Sequence, residues 1–434
     1  MSTAIDVPVR SKRPLVAFLV ANVVSISGTR ISAIAIPWFV LTTTGSATKT
    51  GIVTVFEMTP LVVMKALGGP LIDRVGPRRV SVLGDLASTG LVGLVPLLHW
   101  FGLLSFPVLL ALVAVAGAAR GPADTAKGTL VPDIAASAGA PVERVTGLES
   151  STDRTATIIG PAVAGVVIAA IGSANALLLD AFSFAVCAGL IGLFVPAHRR
   201  AADSGAEGER TYWQRLHSGW QFLAREPLMR GITVMICITN LLDVAFMSVL
   251  LPVWVKSHGY GPTELGLAGS AFGLTATVGA LLAAGVGERL PRRLVYLLGF
   301  TICGAPRFVA MAFDSPMWVL LVVLAAGGFG AGFINPILGA IYIDRTPQEL
   351  LGRVLALSEA LAWGGMPVGG VLAGFAIAGI GLAPALLVGG AAYFLATTVP
   401  GFLPQWKDMD RRRDPTGSRV SPPPPAPVES TPQR

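Results

Sequence analysis

The chain has 434 residues, of which 53% are hydrophobic and only 13% charged, and its mean hydropathy is +0.68. Soluble domains carry about a quarter charged residues, so a soluble globular fold is excluded, and so much apolar sequence also excludes a disordered chain. The formal net charge of +7 is not a nucleic-acid footprint, because nearly all the basic residues sit in short links between apolar runs, where they act as topology signals.

A bilayer core about 30 Å thick needs roughly 20 apolar residues per helix. Twelve runs meet that length, near 15–41, 50–72, 80–99, 104–126, 145–171, 174–195, 229–255, 264–287, 294–313, 316–343, 350–377 and 383–404. The first is too long for a signal-peptide core and is expected to remain as a helix. Basic links alternate with this count. Arg10, Lys12 and Arg13, then Arg74, Arg78 and Arg79, the segment from Arg199 to Arg230, Arg289, Arg292 and Arg293, Arg345 and Arg353, and finally Lys407 and Arg411 to Arg413 fall on one side. The opposite links offer Lys49 and Lys256. Both termini are therefore expected on the cytoplasmic face of a plasma membrane.

The longest polar link divides the runs six and six. The expected organisation is a first six-helix bundle over 1–195, a cytoplasmic linker over 196–228, a second bundle over 229–405 and a disordered, proline-rich tail over 406–434. Within the linker, Trp213, Leu216, Trp220 and Leu223 recur at helical spacing and describe an amphipathic surface helix, or equally a solvated connector. The two halves repeat. The link GPLIDRVGPRR, Gly69 to Arg79, returns as AGVGERLPRR, Ala284 to Arg293, with Asp73, Arg74 and Arg78 matched by Glu288, Arg289 and Arg293 at a constant offset of 215 residues. Parallel halves of this kind place a site at the membrane midplane between them.

The first of these links, with Gly69, Asp73, Arg74, Gly76, Arg78 and Arg79, resembles the cytoplasmic signature of the major facilitator superfamily. The stretches SGTRISAIAIPWFVL, FEMTPLVVMKALGGPLIDR and RVLALSEALAWGGMPVGG resemble its drug:proton antiporter branch, the macrolide and multidrug exporters of the Tap and Mef type. IGPAVAG, with Gly160, Pro161 and Gly165, resembles the Gly-Pro motif of exporters, with Ala164 where the first closing glycine is expected. The resemblance implies an all-α integral membrane protein of twelve transmembrane helices in two pseudo-symmetric six-helix bundles. It also implies a proton-coupled exporter of small amphipathic molecules that works by alternating access. A dedicated siderophore or secondary-metabolite exporter, and an importer of the same fold, are alternatives; a non-transporting membrane receptor is the lesser alternative, since it would usually add a folded signalling domain and neither the linker nor the tail is long enough for one. The resemblance further implies that Asp73, near Gly352, holds the inner gate shut in the outward-facing state, with Arg78, Arg79 and Arg120 as its partners.

Ionisable groups inside the bilayer are costly and mark function. Arg30 and Asp243, halfway along the first and seventh helices and 213 residues apart, are expected to face each other across the cavity. Glu57, Asp243, Glu359 and Asp153 are the candidate proton carriers. Arg30 would favour cargo with an anionic or hydrogen-bond-accepting group. Trp38, Phe39, Phe56, Met58, Asn240, Phe246, Asn335 and Trp363 are the further expected lining of the cavity.

Three cysteines, Cys187, Cys237 and Cys303, lie in apolar runs, and four histidines lie in links or at helix ends. No metal-ligand spacing, phosphate-binding loop or nucleophile with a base is visible. No enzyme activity, metal or cofactor is expected. The expected partners are the cargo, protons and the lipid bilayer, with the chain acting as a monomer.

Overall fold

In lipid no water satisfies a free backbone N–H or C=O, so an apolar chain crosses as helix. The computed structural model describes residues 11–196, 212–348 and 350–410. Among the described residues there is helix and no strand. Twelve helices are long and apolar enough to cross a membrane: α1 (Arg13–Thr44), α2 (Ala47–Leu67), α3 (Pro77–Trp100), α4 (Phe106–Ala138), α5 (Val142–Ile171), α6 (Ser173–Phe194), α7 (Pro227–Ser257), α8 (Pro262–Val286), α9 (Arg292–Ala312), α10 (Met317–Arg345), α11 (Leu351–Ile380) and α12 (Leu382–Gly401). The protein is a multi-pass membrane protein. An even number of crossings leaves residue 11 and Asp410 on one side, termed proximal; the other is distal.

Helices α1 to α6 pack on one another, chiefly α1 on α5 and α6, α2 on α4, and α3 on α4 and α6. Helices α7 to α12 do the same through α8 on α10, α9 on α10 and α12, and α7 on α11. Small residues bring the backbones together, as is usual where lipid removes any hydrophobic drive. A Cβ on Gly117 would lie 2.3 Å from the Glu57 carbonyl oxygen, and one on Gly121 2.6 Å from that of Leu61, so α4 lies directly against α2.

The repeat persists in the helix interiors. Pro37 in α1 and Pro252 in α7 stand at the same offset of 215 residues. Around the second of them the helix passes through a π-helical turn, Phe246–Leu250, a distortion that recurs at functional sites. The tight turns before α6 and α12 rest on glycines that match in role, Gly172 at φ +83° and Gly381 at φ +86°. The link after α2 turns at Gly76, φ +92°. Its counterpart Pro291 is locked at φ −67°, so the second copy turns differently.

Two boundaries differ from the sequence expectation. Helix α4 runs to Ala138, twelve residues beyond the expected end at 126, and so brings Lys127 into the bundle. The tail does not begin at 406: Pro404–Asp410 forms a 3₁₀ turn whose Trp406 is fully buried against Tyr296 and Gly231. Residues 411–434 of the expected tail and 197–211 of the linker lie outside the described residues. The amphipathic stretch is an α-helix, Tyr212–Arg225, packed on α7 and the start of α11, with Leu223 buried and Trp220 half-exposed.

Lys127 is buried with Asp85, Nζ to Oδ1 2.9 Å, and stands 3.6 Å from Asp124. Breaking a buried pair from one side costs about 3–5 kcal/mol, whereas replacing both ends by apolar groups is often neutral. Lys127→Met is therefore expected to lower the thermal midpoint of the detergent-purified protein sharply, and Lys127→Met with Asp85→Leu to restore most of it.

Candidate functional site: a cavity between the bundles

On the distal side the two bundles touch backbone to backbone. A Cβ on Gly51 of α2 would stand 2.1 Å from the Gly370 carbonyl oxygen of α11, and one on Gly266 of α8 2.3 Å from that of Pro161 in α5. Lys256, from α7, donates to the Leu41 carbonyl oxygen at the end of α1 (2.7 Å), and Thr48 donates to that of Gly374 (3.2 Å). Beneath this seal lies a cavity of about 360 Å3, lined by both bundles. Its apolar lining includes Ile34, Pro37 and Met58 on one side and Met247, Leu251 and Met366 on the other. This size and polarity suit a small amphipathic molecule.

Three charged side chains line it: Arg30, Glu57 and Arg120. Glu57 (Oε1) and Arg120 (Nη1) are 3.9 Å apart, both largely buried, and Arg120 also donates to Thr29 at 3.3 Å. Behind them Ser32 donates to the fully buried Asp180. A void of about 20 Å3 joins Ser32, Glu57, Arg120 and Asp180, room for about one water. Arg30 leaves the cavity floor along α5. Its stem lies on Gly160, whose absent Cβ would meet Arg30 Cγ at 2.8 Å. Its guanidinium donates to Thr157 (2.8 Å) and stands 3.8 Å from Asp153.

Several sequence expectations are corrected. Arg30 and Asp243 do not meet across the cavity. Asp243 is bonded to Arg307 of α9 inside its own bundle, with Arg307 stacked among Phe246, Phe308 and Tyr393. Arg120 does not attend Asp73; it stands at the level of Glu57, deep in the membrane. Trp38, Phe39 and Phe246 are buried in the helix-packing core. Phe56 falls on the exposed stripe Phe56, Thr59, Val63 and Leu67 of α2, the lipid face. Asn240 donates to the Ala362 carbonyl oxygen, tying α7 to α11, and the exposed Asn335 lies outside the cavity lining. Trp363 lies below it, with the Lys65 ammonium 4.1 Å over its ring. Met58 alone of the expected apolar and amide residues lines the cavity with Arg30 and Glu57.

Glu359 is exposed two turns before the lining residue Met366 and on nearly the same helical face. In the signature link, Asp73, Arg74 and Arg79 are exposed, and the short helix Gly69–Val75 packs on α3 and α4 of its own bundle. Arg78 donates to the Gly192 carbonyl oxygen of α6. In the Gly-Pro stretch the three residues divide the work: Gly160 seats Arg30, while Pro161 and Gly165 meet α8. The pairs Asp85–Lys127 and Glu57–Arg120 escaped the sequence reading. Asp85 inside an apolar run was the available signal for the first.

The comparisons agree with this architecture. The model of the family described as "Transmembrane secretion effector" matches residues 8–426. The chain is 30% identical over 404 residues to the multidrug efflux pump Tap of Mycolicibacterium fortuitum, covering 92% of this chain and 97% of that protein. It is 32% identical over 371 residues to Tap of Mycobacterium tuberculosis, covering 84% and 87%. A weaker similarity, 27% over 226 residues and about half of each chain (51% and 52%), links it to the enterobactin exporter EntS of Escherichia coli. Among solved structures, the nucleoside transporter NupG superposes with a TM-score of 0.70 at 13% identity, covering 90% of this chain and 99% of that one. A bacterial homologue of the lysosomal transporter Spinster, inward-facing and unoccupied, gives 0.66 at 12%, covering 92% and 98%. With twelve spans, two packed bundles and a cavity between them, the chain belongs to the transmembrane secretion effector family of major facilitator transporters, and is a carrier of small molecules rather than an enzyme.

Proposed function

We propose that this chain is a proton-coupled exporter of small amphipathic molecules, drugs among them, and that it works as a monomer by alternating access. The observation that carries the reading is the cavity closed distally by glycine contacts and holding one carboxylate, Glu57, 3.9 Å from one arginine, Arg120. Similarity to the Tap multidrug pumps over most of both chains supports the cargo class. The basic residues of the proximal links support an orientation with both termini in the cytoplasm of a plasma-membrane protein. In that orientation the cavity is sealed from outside and loads from the cytoplasm.

Glu57 is the proposed coupling acid. A charged Glu57 pairs with Arg120 across α2 and α4; a proton arriving from outside neutralises the carboxylate and loosens the pair. Return of the proton to the cytoplasm re-forms the pair, so the two states differ in how tightly α2 and α4 are held. Asp243 is less suited, being held by Arg307 within one bundle. Asp153 and Glu359 stand nearer the cytoplasm and serve loading rather than storage of the proton.

The test is uptake of ethidium into inverted vesicles under an imposed pH gradient. Wild-type protein is expected to accumulate the dye and right-side-out vesicles to expel it. Glu57→Gln is expected to lose pH-driven accumulation by about two orders of magnitude, the scale of a displaced proton-transfer group, while still exchanging dye downhill. Accumulation in right-side-out vesicles instead would make it an importer. A dedicated siderophore exporter is the second reading, favoured by the similarity to the enterobactin exporter over half the chain. Export restricted to a catecholate siderophore across a mixed panel would select it.

A further inference from the structure

Below the distal contacts, α5 and α8 part. The last close approach is Gly273 against the Thr157 carbonyl oxygen, where a Cβ would stand at 2.8 Å. From that level toward the cytoplasm a second cavity of about 470 Å3 opens between the two helices. One wall is small and uncharged: Gly273, Ala276 and Thr277 of α8. The other is the α5 stripe Glu149, Asp153 and Thr157, spaced four residues apart and so aligned along one face. Arg154 also lines the cleft and offsets one of its two carboxylates.

The opposite flank is different. There the Lys65 ammonium of α2 sits 4.1 Å over Trp363 of α11, so the bundles are bridged and the bridge is cationic. A positively charged molecule is repelled on the α2 and α11 flank and meets carboxylates on the α5 and α8 flank.

Arg30 links the two spaces: it lines the central cavity, and its guanidinium donates to Thr157 and stands 3.8 Å from Asp153, both of which line the cleft. The contact with Asp153 is long at 3.8 Å, and the two side chains are 36% and 58% exposed. Exposed pairs of that kind hold weakly, at about 0–1 kcal/mol, and an incoming charge can replace either member. Asp153 is the more open of the two, so the exchange favours an entering cation.

From this geometry, and resting on the exporter reading above, we infer that the α5 and α8 cleft is the loading site for cationic amphiphiles, which displace Arg30 from Asp153 and thereby open the way into the central cavity. The flat α8 wall takes the apolar body, Asp153 and Glu149 take the charge, and Arg30 is the internal stand-in for the cargo while the site is empty. Asp153, Glu149 and Arg30 then set charge selectivity, with Arg30 acting as a competitor of the cargo.

The test is equilibrium binding of tetraphenylphosphonium to the full-length protein in lipid nanodiscs, with no gradient imposed. Glu149→Gln with Asp153→Asn is expected to weaken binding about tenfold or more, the scale of a lost charge partner. Arg30→Met, which removes the competitor, is expected to tighten it roughly threefold or more. Changes of opposite sign cannot arise from general damage to the fold. Failure of the wild type to bind the cation, affinity unchanged by loss of both acids, or weakening by Arg30→Met would each overturn the inference. Because no proton gradient enters the measurement, vesicles that fail to export would refute the coupling mechanism and leave this binding pattern standing; vesicles that export while binding ignores the cleft would do the reverse.

Discussion

Gly51→Leu is expected to leave the protein folded but unable to close its distal side. At Gly51 a Cβ would sit 2.1 Å from the Gly370 carbonyl oxygen and 3.0 Å from Val371 Cα, all backbone atoms that cannot turn aside. Gly266→Leu meets the same obstacle on the other flank, at 2.3 Å from the Pro161 carbonyl oxygen and 3.0 Å from Gly165 Cα. Neither glycine has positive φ, so nothing in its own helix opposes a side chain. The penalty falls on the state in which the bundles touch. Overpacking costs about 1–3 kcal/mol, and each 1.4 kcal/mol is about tenfold in a two-state population. Either variant should therefore shift the protein roughly 10- to 100-fold toward the distally open state, and both together should lock it there. Spin labels on the distal ends of α2 and α11 are expected to report a longer separation, with active transport lost and thermal stability little changed. A distance distribution like that of the wild type would show that these contacts are not the seal.

The other large effect concerns Asp243, and it falls on stability rather than on the conformational equilibrium. Arg307 is 4% exposed. Its guanidinium lies among three aromatic rings at 4.5 to 5.2 Å, and Asp243 is its carboxylate partner. Asp243→Ala removes that partner and leaves a buried cation uncompensated, which costs about 3–5 kcal/mol. The expected result is a protein recovered in poor yield and unfolding many degrees below the wild type. Asp243→Leu with Arg307→Met should recover most of the stability. If this double variant also exports normally, Asp243 has no part in the proton cycle; Glu57→Gln, whose amide remains beside Arg120, should lose export at a smaller cost in stability than Asp243→Ala. Comparing the two separates a structural acid from a coupling acid.

The twelve crossings, the basic side and the repeat were legible in the sequence because lipid imposes them: about 20 apolar residues per crossing, and charge confined to the links. The partners of the buried charges were not. Arg30 and Asp243 are 213 residues apart, whereas the repeat offset is 215, and two residues turn a side chain by about 200° around a helix. The true counterpart of Asp243 is Gly28, which faces Asp180 and Ser183 inside its own bundle; Asp243 likewise points inward, to Arg307. Depth in the membrane can be read from sequence position, but rotation about the helix axis depends on which neighbour has room. The same reason hid Arg120, whose place beside Glu57 is fixed by Gly117 and Gly121 pressing α4 onto α2. Phe56 and Trp38 were misjudged because aromatic residues serve lipid, core and cavity alike in a bundle of this kind.

Gly160 carries a consequence for how such sequences are read. Its missing side chain is a berth: the aliphatic stem of Arg30 occupies the volume that even an alanine methyl would need, at 2.8 and 2.9 Å from Cγ and Cβ. A glycine that resembles part of an exporter motif is thus, in this protein, the seat of a positively charged side chain. Relatives that keep this glycine but carry a short residue in place of Arg30 would have an empty slip along the fifth helix, open to a cargo of a different shape.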